Sequence, residues 1–191
     1  MRSPKLNRDS SGDSPEKETE SYMRRTVATR LNPHLMSAHR VSVTVRHATE
    51  DDVERIFELI KAIAEHHDQS HYVLTEPNEL SVAGFGADPK FGALIAEYDD
   101  NIVGFLSYTV SYSIWLGRNY MHIDDVFVDE HCRGKNIGET LMREARKYCE
   151  SLDISRIKWE VQTDNHGAKR FYKRLGAKYY EKGVFAWDWS D

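Results

Sequence analysis

The chain has 191 residues, a formal net charge of −5, 40% hydrophobic residues and two cysteines, Cys132 and Cys149. This length can form one domain with its own core, and the cysteine pattern excludes a disulfide-stapled scaffold and CxxC-type metal sites. No apolar run approaches the ~20 residues that span a bilayer, so we expect a cytoplasmic protein that binds neither a membrane nor a metal.

The first 40 residues differ in composition from the rest of the chain. They hold 8 basic and 5 acidic side chains, whereas residues 41–191 hold 18 basic and 26 acidic ones. The acidic part disfavours nucleic-acid binding. Residues 1–40 are rich in Ser, Asp, Glu, Lys and Pro, so we expect a disordered extension there and a domain over residues 41–191. Five Arg and no acid between residues 23 and 49 weakly suggest organellar targeting, and a plain extension is the favoured interpretation.

The domain is predicted to begin with a strand and two helices. "VSVTVRHA" alternates as a strand does, and "TEDDVERIFELIKAIAEHH" has a candidate N-cap at Thr49 followed by acids that suit a helix start. Apolar residues recur on one face of that helix. "TEPNELSVAGFG" predicts a second helix that starts near Thr75 and stops at the Gly84 and Gly86 pair.

The remaining elements complete a mixed α/β (α+β) fold. "FGALIAEY" and "IVGFLSYTVSYS" form a hairpin, "YMHIDDVFV" a strand, residues 137–152 a helix, "RIKWEVQT" a strand, and "NHGAKRFYKRLG" a helix ending at Gly176. "AKYYEKGVFAWDW" predicts a closing hairpin that turns at residues 182–183. The order is β-α-α-β-β-β-α-β-α-β-β: a mostly antiparallel sheet of about seven strands, with about four helices and one parallel crossover pair.

The loop "RGKNIG" stands between a predicted strand and a predicted helix. Gly134 and Gly138 let the backbone approach an anion, the helix N-terminus offers free N–H groups, and Arg133 and Lys135 add positive charge. The glycine spacing fits neither a Walker loop nor a dinucleotide fingerprint. Taken alone, the loop is explained as well by an ordinary strand-to-helix turn.

In context, "VDEHCRGKNIGETLM" resembles the acetyl-CoA pyrophosphate loop of the GNAT superfamily of N-acetyltransferases. The resemblance extends over residues 43–189. The segments "LIKAIAEHH", "IVGFLSY", "WLGRNYMHIDDVFV" and "NHGAKRFYKRLGA" follow the order of the diamine (spermidine/spermine) and thialysine acetyltransferase branch. The resemblance implies a GNAT fold, acetyl-CoA as cosubstrate, direct acetyl transfer to a primary amine in a ternary complex, and a homodimer. The aromatic "FAWDW" strand would offer an edge for pairing.

The resemblance also implies which residues hold acetyl-CoA. The backbone of the strand before the loop would bind the pantetheine arm and polarise the thioester carbonyl. Asn136 stands where the family pattern places its first glycine, and Asn is the side chain that best tolerates a left-handed backbone. Asn165 would contact the cofactor arm or simply cap a helix. The implied cofactor-binding residues are Val126, Phe127, Val128, Arg133, Gly134, Lys135, Asn136, Ile137, Gly138, Asn165 and Lys173.

For catalysis, the resemblance implies that Tyr172 protonates the departing thiolate and that Asp124 faces the amine. Asp124 and Asp125 are expected on opposite faces of their strand, and either one can instead be a purely structural carboxylate. Trp115, His66 and His67 would line the acceptor site, and Trp115 can equally anchor a surface loop.

Two questions stay open from the sequence. His66 and His67 replace a Tyr-Glu pair of the diamine enzymes, so a small diamine or lysine-like amine rivals a long polyamine. The broader alternatives are a non-catalytic CoA-binding or protein-interaction module and an enzyme that acetylates a protein or peptide amine. A zinc site built on His67 and His71 is disfavoured because no third ligand has clear spacing.

Overall fold

The computed structural model describes residues 42–187 and 189, so the predicted N-terminal extension lies outside the described residues. The five strands are β1 Thr44–His47, β2 Gly92–Tyr98, β3 Asn101–Ser113, β4 Arg118–Val128 and β5 Ile157–Trp159. The four α-helices are α1 Val53–His66, α2 Pro77–Phe85, α3 Ile137–Ser151 and α4 His166–Arg174. In this part of the chain, no helix has the length and apolar character needed to span a bilayer.

The strands form one sheet in the order β1-β2-β3-β4-β5. The first four strands are antiparallel neighbours, and β5 pairs with β4 in parallel because α3 carries the chain back to the same end of the sheet. The predicted mixed, mostly antiparallel sheet with four helices and one parallel crossover is therefore confirmed. Gly176 follows α4 with a φ of +90°, as expected for a glycine just past a helix end.

The predicted strand count of about seven is too high for the described residues, which contain five strands. Residues 177–187 form no strand, and β5 ends at Trp159 instead of continuing to residue 163. The C-terminal segment has the alternation of a strand, but a strand also needs a neighbour that accepts its backbone hydrogen bonds. Phe185 and Trp187, in consequence, are almost fully exposed, at 102% and 84%.

Each face of the sheet packs against its own layer of helix. One buried cluster joins the sheet to α1, and its members are Ile56, Leu59, Ala93, Ile95, Phe105 and Phe127. The other joins the sheet to α3 and includes Leu94, Leu106, Met121, Ile123, Ile137, Leu141 and Ala145. We call these two sides the α1 face and the α3 face.

The start of α1 is fixed by a buried carboxylate. Asp52 accepts two hydrogen bonds from the Arg46 guanidinium, at 2.7 and 2.9 Å, and a third from the Thr49 backbone N–H at 2.7 Å. Thr49, the predicted N-cap, begins the 3₁₀ turn Glu50–Asp52 that leads into the helix. The Arg46 hydrogen bonds lower the pKa of Asp52 to about 2, so this side chain is ionised wherever the protein is folded near neutral pH.

Candidate active site

The strand β4 is paired on both sides over only part of its length. Its partner β5 aligns with Met121, His122 and Ile123, and the ladder then stops. Residues 124–128 keep β3 on one side and have no strand on the other within the described structure. This second half of β4 therefore presents an open edge, which we call the β4 gap, where backbone groups are free to bind a ligand.

A β-bulge at Asp124 sets the direction of the backbone in the gap. Ile123 is aligned with Tyr108 and Asp125 with Ser107, so Asp124 is an extra residue without a partner across the ladder. The Asp129 N–H donates to the Val103 carbonyl at 2.8 Å, on the β3 side. Because N–H directions alternate along a strand, those of Val126 and Val128 point into the gap.

The bulge also changes which face each side chain occupies. Met121 and Ile123 belong to the cluster on the α3 face, and Val126 and Val128 pack against it, whereas Phe127 lies on the α1 face. An extra residue between Ile123 and Val126 puts both Asp124 and Asp125 on the α1 face. The expectation that the two carboxylates point to opposite faces is therefore wrong, because uninterrupted alternation does not hold through a bulge.

Asp125 is the more buried of the two carboxylates. Its Oδ2 accepts a hydrogen bond from the Ser107 hydroxyl at 3.2 Å, and its backbone N–H donates to the same hydroxyl oxygen at 3.1 Å. Burial raises the pKa of Asp125, the Ser107 hydrogen bond opposes that rise, the Asp124 charge adds to it, and His67 lowers it. Asp125 thus braces the bulge and interacts electrostatically with Asp124 and His67.

Asp124 pairs with a histidine that the sequence interpretation missed. The Nδ1 atom of His122 lies 3.0 Å from Oδ1 of Asp124, and both side chains are partly exposed. His122 and Asp124 are two residues apart on one strand, which puts them on one face. The i, i+2 spacing of His122 and Asp124 is the sequence signal that could have identified this pair.

The loop after β4 forms a cradle with two left-handed residues. Gly134 has a φ of +80°, and Asn136 has a φ of +62° and is the N-cap of α3. Asn136 therefore adopts the backbone that the sequence analysis expected it to tolerate. Its side chain makes no capping hydrogen bond, so the first N–H groups of α3 are left without a side-chain acceptor from the cap residue. A Cβ at Gly134 would meet nothing within 4 Å, which leaves room beside the cradle.

The basic side chains near the cradle contact the protein itself. Arg133 Nε donates to the Val128 carbonyl at 3.2 Å, and Nη1 lies 3.1 Å from Glu130 Oε1. Lys135 Nζ stands 4.3 Å from the centre of the Tyr98 ring. These are exposed contacts that an anion with several charges can displace, since exposed ion pairs contribute little free energy.

Lys173 lies on α4, and Asn165 is the N-cap of that helix. Lys173 Nζ lies 5.8 Å from the centre of the Tyr179 ring. The Asn165 side chain accepts a hydrogen bond from the Ala168 N–H at 2.9 Å and so caps α4.

Tyr172 approaches the gap from the α3 face. It packs against the α3-face cluster, its ring centre lies 5.1 Å from that of Trp159 and 5.0 Å from that of Phe171. Burial raises the pKa of Tyr172, so its hydroxyl stays protonated near neutral pH and can serve as an acid. Trp159 is the last residue of β5, so Tyr172 stands where the β4–β5 ladder ends.

His66 and His67 lie at the end of α1. Their ring centres are 5.3 Å apart, and His66 Nδ1 lies 3.2 Å from Glu130 Oε1, the carboxylate that also holds Arg133. Glu130 thus joins the end of α1 to the cradle. This contact depends on tertiary structure, so no sequence pattern predicts it.

Trp115 is not brought to the gap within one chain. It is 94% exposed in the turn between β3 and β4. Six residues of strand separate Arg118 from Asp124, about 20 Å at 3.3 Å per residue. The predicted place of Trp115 in the acceptor site therefore has no support from the geometry of a single chain.

Cys149 and His71 belong to other parts of the fold. Cys149 lies in the α3-face core, and burial raises its pKa to about 11, so it is a thiol rather than a reactive thiolate. His71 sits in the 3₁₀ turn Ser70–Tyr72, beyond the end of α1, so it does not share a helical face with His67. No group of three or more metal-ligating side chains occurs in the part of the chain that the structure describes.

An open cleft of about 680 Å³ lies beside the cradle, between the β2–β3 turn and residues 129–135. It is lined by Arg55, Tyr98, Asp129 and Lys135 among others, and includes neither Tyr172 nor the Asp pair. Its mixed charges mark no reacting centre, so we place the candidate active site in the β4 gap.

The chain is similar in sequence to known acetyltransferases. A family model described as the acetyltransferase (GNAT) family matches residues 47–177. A thialysine N-epsilon-acetyltransferase of Bos taurus is 31% identical over 144 residues, which cover 71% of this chain and 84% of that protein. A spermidine/spermine N(1)-acetyltransferase-like protein 1 of Homo sapiens is 26% identical over 140 residues, 70% of this chain and 20% of that one.

A similar fold occurs among solved structures. A crystal structure of an aminoglycoside acetyltransferase from an uncultured soil metagenomic sample has a TM-score of 0.67, is 16% identical, and is matched over 78% of this chain and 97% of that one. At that identity the likeness concerns the fold alone.

Proposed function

Because the chain belongs to the GNAT family and is an acetyl-CoA-dependent N-acetyltransferase, we propose that it acetylates a primary amine of a small molecule by direct attack in the β4 gap. The observation that carries this proposal is the half-open strand β4, with a left-handed cradle at its end, carboxylates on its α1 face and Tyr172 on its α3 face.

The gap and the cradle fit acetyl-CoA. The N–H groups of the first turn of α3 suit a pyrophosphate, because they combine free donors with the positive end of the helix dipole. The N–H groups of Val126 and Val128 would bind the pantetheine arm, and one of them would donate to the thioester oxygen as charge develops there. In this proposal acetyl-CoA is the cosubstrate, and no step uses a metal.

Direct transfer suits the side chains around the gap. An acetyl-enzyme intermediate needs a nucleophile. The Cys149 thiol is buried, and Cys132 lies in the turn after β4, where it lines the cleft. A neutral amine can instead attack the thioester carbon, while Tyr172 protonates the leaving sulfur from the opposite face of the sheet. General acid catalysis of this kind contributes about 10²-fold to 10⁴-fold.

The acceptor is proposed to be a lysine-like amino acid or a short diamine. The α1 face at the gap carries Asp124 and Asp125, and these negative charges favour an alkylammonium. His66 and His67 stand where the diamine enzymes have a Tyr-Glu pair, so this chain has one carboxylate fewer for an acceptor with several charges. The relatives include a thialysine acetyltransferase, whose named substrate is a lysine analogue. A longer polyamine is the rival, as the spermidine/spermine-like relative suggests.

We propose that the protein works as a homodimer. Its support is the C-terminal segment, where Val184, Phe185, Trp187 and Trp189 are exposed by 75% or more. Exposed apolar and aromatic side chains concentrated in one segment are typical of protein–protein contacts. Light scattering should give the mass of two chains, and the double substitution Phe185→Ser and Trp187→Ser should give the mass of one. A wild-type monomer at micromolar concentration would contradict this part of the proposal.

The test of function is thiol release from acetyl-CoA with a panel of amines: lysine, thialysine, ornithine, putrescine, spermidine and a short peptide. We expect the highest kcat/KM with a lysine-like amine or short diamine, and a large loss of kcat in Tyr172→Phe. CoA binding without turnover of any amine would contradict the catalytic proposal and leave a binding module. Turnover of the peptide alone would replace the small-molecule acceptor by a protein amine.

A further inference from the structure

We propose that His122, held by Asp124, is the catalytic group that removes the proton from the acceptor amine. This inference rests on the proposed function, because it assigns a role in amine acetylation. It changes the role of Asp124 from the group that meets the amine to a positioning residue for the imidazole.

The geometry of the pair suits this role. His122 Nδ1 lies 3.0 Å from Asp124 Oδ1, so a proton on Nδ1 is held between the two groups. With Nδ1 protonated, the neutral ring leaves Nε2 as the proton acceptor. No hydrogen bond to Nε2 of His122 is made by the residues that the structure describes. The arrangement is therefore a base oriented by a carboxylate, the logic that serves histidine bases in other enzymes.

The position of the pair is also suitable. His122 is aligned with Lys158 of β5, one residue before the last pair of that ladder, and Asp124 is the bulged residue at which the gap opens. Asp124 lies on the α1 face beside His122, two residues earlier on the same strand, and the bulge adds Asp125 to that face. Without the bulge, the strand would still run through His122, but Asp125 would not share its face.

The charged groups around the imidazole come from three elements. Asp124 and Asp125 lie on the same strand, His67 follows α1, and Lys158 lies across the ladder on β5 with its Nζ 4.2 Å from the centre of the Tyr120 ring. Thr109 is the uncharged neighbour on β3. The carboxylates attract an ammonium to this face.

The chemistry favours an imidazole over a carboxylate. An alkylammonium has an ordinary pKa of about 10.4, an imidazole about 6.5 and an Asp carboxyl about 3.9. Proton transfer is most effective when the base is present in its free form and its proton affinity lies near the working pH. Among side chains with ordinary values, histidine meets both conditions near neutrality.

The proton balance closes without a further reactant. One ammonium N–H bond breaks toward His122 Nε2, the freed lone pair forms the N–C bond, and the thioester C–S bond then breaks. The sulfur takes a proton from the Tyr172 hydroxyl, and the second proton on the nitrogen returns through solvent to Tyr172. His122 releases its proton to water, so one proton is released for each acetyl group transferred.

The experiment compares His122→Gln with His71→Gln, a matched change at an exposed histidine outside the gap. With the best amine of the panel, we expect kcat/KM of His122→Gln to fall by about 10²-fold at pH 7. The acidic limb of its profile against pH should flatten. His71→Gln should keep the wild-type rate and profile. Circular dichroism should show that each variant is folded.

A second variant keeps the test decisive if glutamine disturbs the strand. Added imidazole should restore part of the activity of His122→Ala, which a purely structural role would not allow. Asp124→Asn should lower the rate while preserving an acidic limb, because the imidazole is still present. Wild-type activity in His122→Gln, or loss of the acidic limb in His67→Gln instead, would overturn the assignment. Both results require an active wild type, so they are distinct from failure of the proposed function.

Discussion

The two halves of β4 belong to one continuous strand but differ in their strand neighbours and their burial. From Met121 to Ile123 the strand is enclosed: Met121 and Ile123 are buried, β3 lies on one side and β5 on the other. From Asp124 onward the strand has β3 alone, two carboxylates on one face and an open edge. The closed half has its hydrogen bonds and packing satisfied, whereas the open half keeps groups that only a ligand can satisfy.

One bulged residue makes this difference. It rotates the strand so that Asp124 and Asp125 share the α1 face, and it directs the Val126 N–H into the gap. Stability and chemistry are thereby separated along a single strand. Substitutions at the buried positions of the closed half should change the free energy of unfolding, whereas those at His122 and around the open half should change rates.

The largest effect on stability is expected in the closed half. Met121 is fully buried, and the Cys149 thiol donates to its sulfur at 3.6 Å. Met121→Ala would leave a cavity between β4 and α3, with a loss of about 3 kcal/mol in the free energy of unfolding. Urea denaturation followed by circular dichroism measures it. A loss below about 1 kcal/mol would show that the closed half does not carry the stability assigned to it.

The next effect belongs to the open half and concerns rate. Tyr172→Phe keeps the ring that packs against Trp159 and Phe171 and removes only the hydroxyl. We expect kcat to fall by about 10²-fold, or about 2.7 kcal/mol in the activation barrier, with an unchanged melting temperature. Steady-state kinetics and thermal denaturation of the same preparation separate the two quantities. Unchanged kcat would remove Tyr172 from the reaction.

Asp52, which lies outside β4, gives a reference for how the free energy of unfolding depends on pH. The folded pKa of Asp52 is about 2, below its ordinary value of 3.8. Its stabilising contribution is therefore complete above pH 4 and is lost as the pH falls through 2. Asp52→Asn should lower the free energy of unfolding by about 2 kcal/mol at pH 7. The difference from the wild type should shrink between pH 4 and pH 2. Denaturant titrations across this pH range measure that difference. A difference independent of pH would contradict the low pKa assigned to Asp52.

The smallest effect is expected at the cradle. Asn136 has a left-handed backbone, which costs an Ala about 1 kcal/mol and costs Gly almost nothing. Asn136→Ala should therefore lower the free energy of unfolding by about 1 kcal/mol and weaken CoA binding, while Asn136→Gly should retain both. Calorimetric titration with CoA and denaturation measure the two effects. Equal behaviour of the Ala and Gly variants would show that the left-handed backbone is not required.

The helices and the first four strands were predictable because their signals are local. Thr49, the Gly134 and Asn136 turn, and Gly176 are residues whose backbone preferences mark an element boundary. The end of β5 and the absence of strand over residues 177–187 were not predictable, because strand pairing depends on a neighbour that alternation does not reveal.

The same limit applies to the candidate site. The cradle and Tyr172 followed from motif and resemblance, but the face of Asp125 depended on a bulge. Alternation is read one residue at a time, so a single inserted residue reverses every assignment after it. The contacts from Ser107 to Asp125 and from Glu130 to His66 join residues far apart in sequence. The His122 and Asp124 pair was the one feature that alternation alone could have offered.

The most direct test is amide hydrogen exchange with and without saturating CoA. If the open half of β4 is the cosubstrate site, residues 124–128 and the first turn of α3 should become protected, and the closed half should stay unchanged. Protection confined to the cleft between the β2–β3 turn and residues 129–135, or to the β3–β4 turn that carries Trp115, would contradict the placement of the active site in the β4 gap.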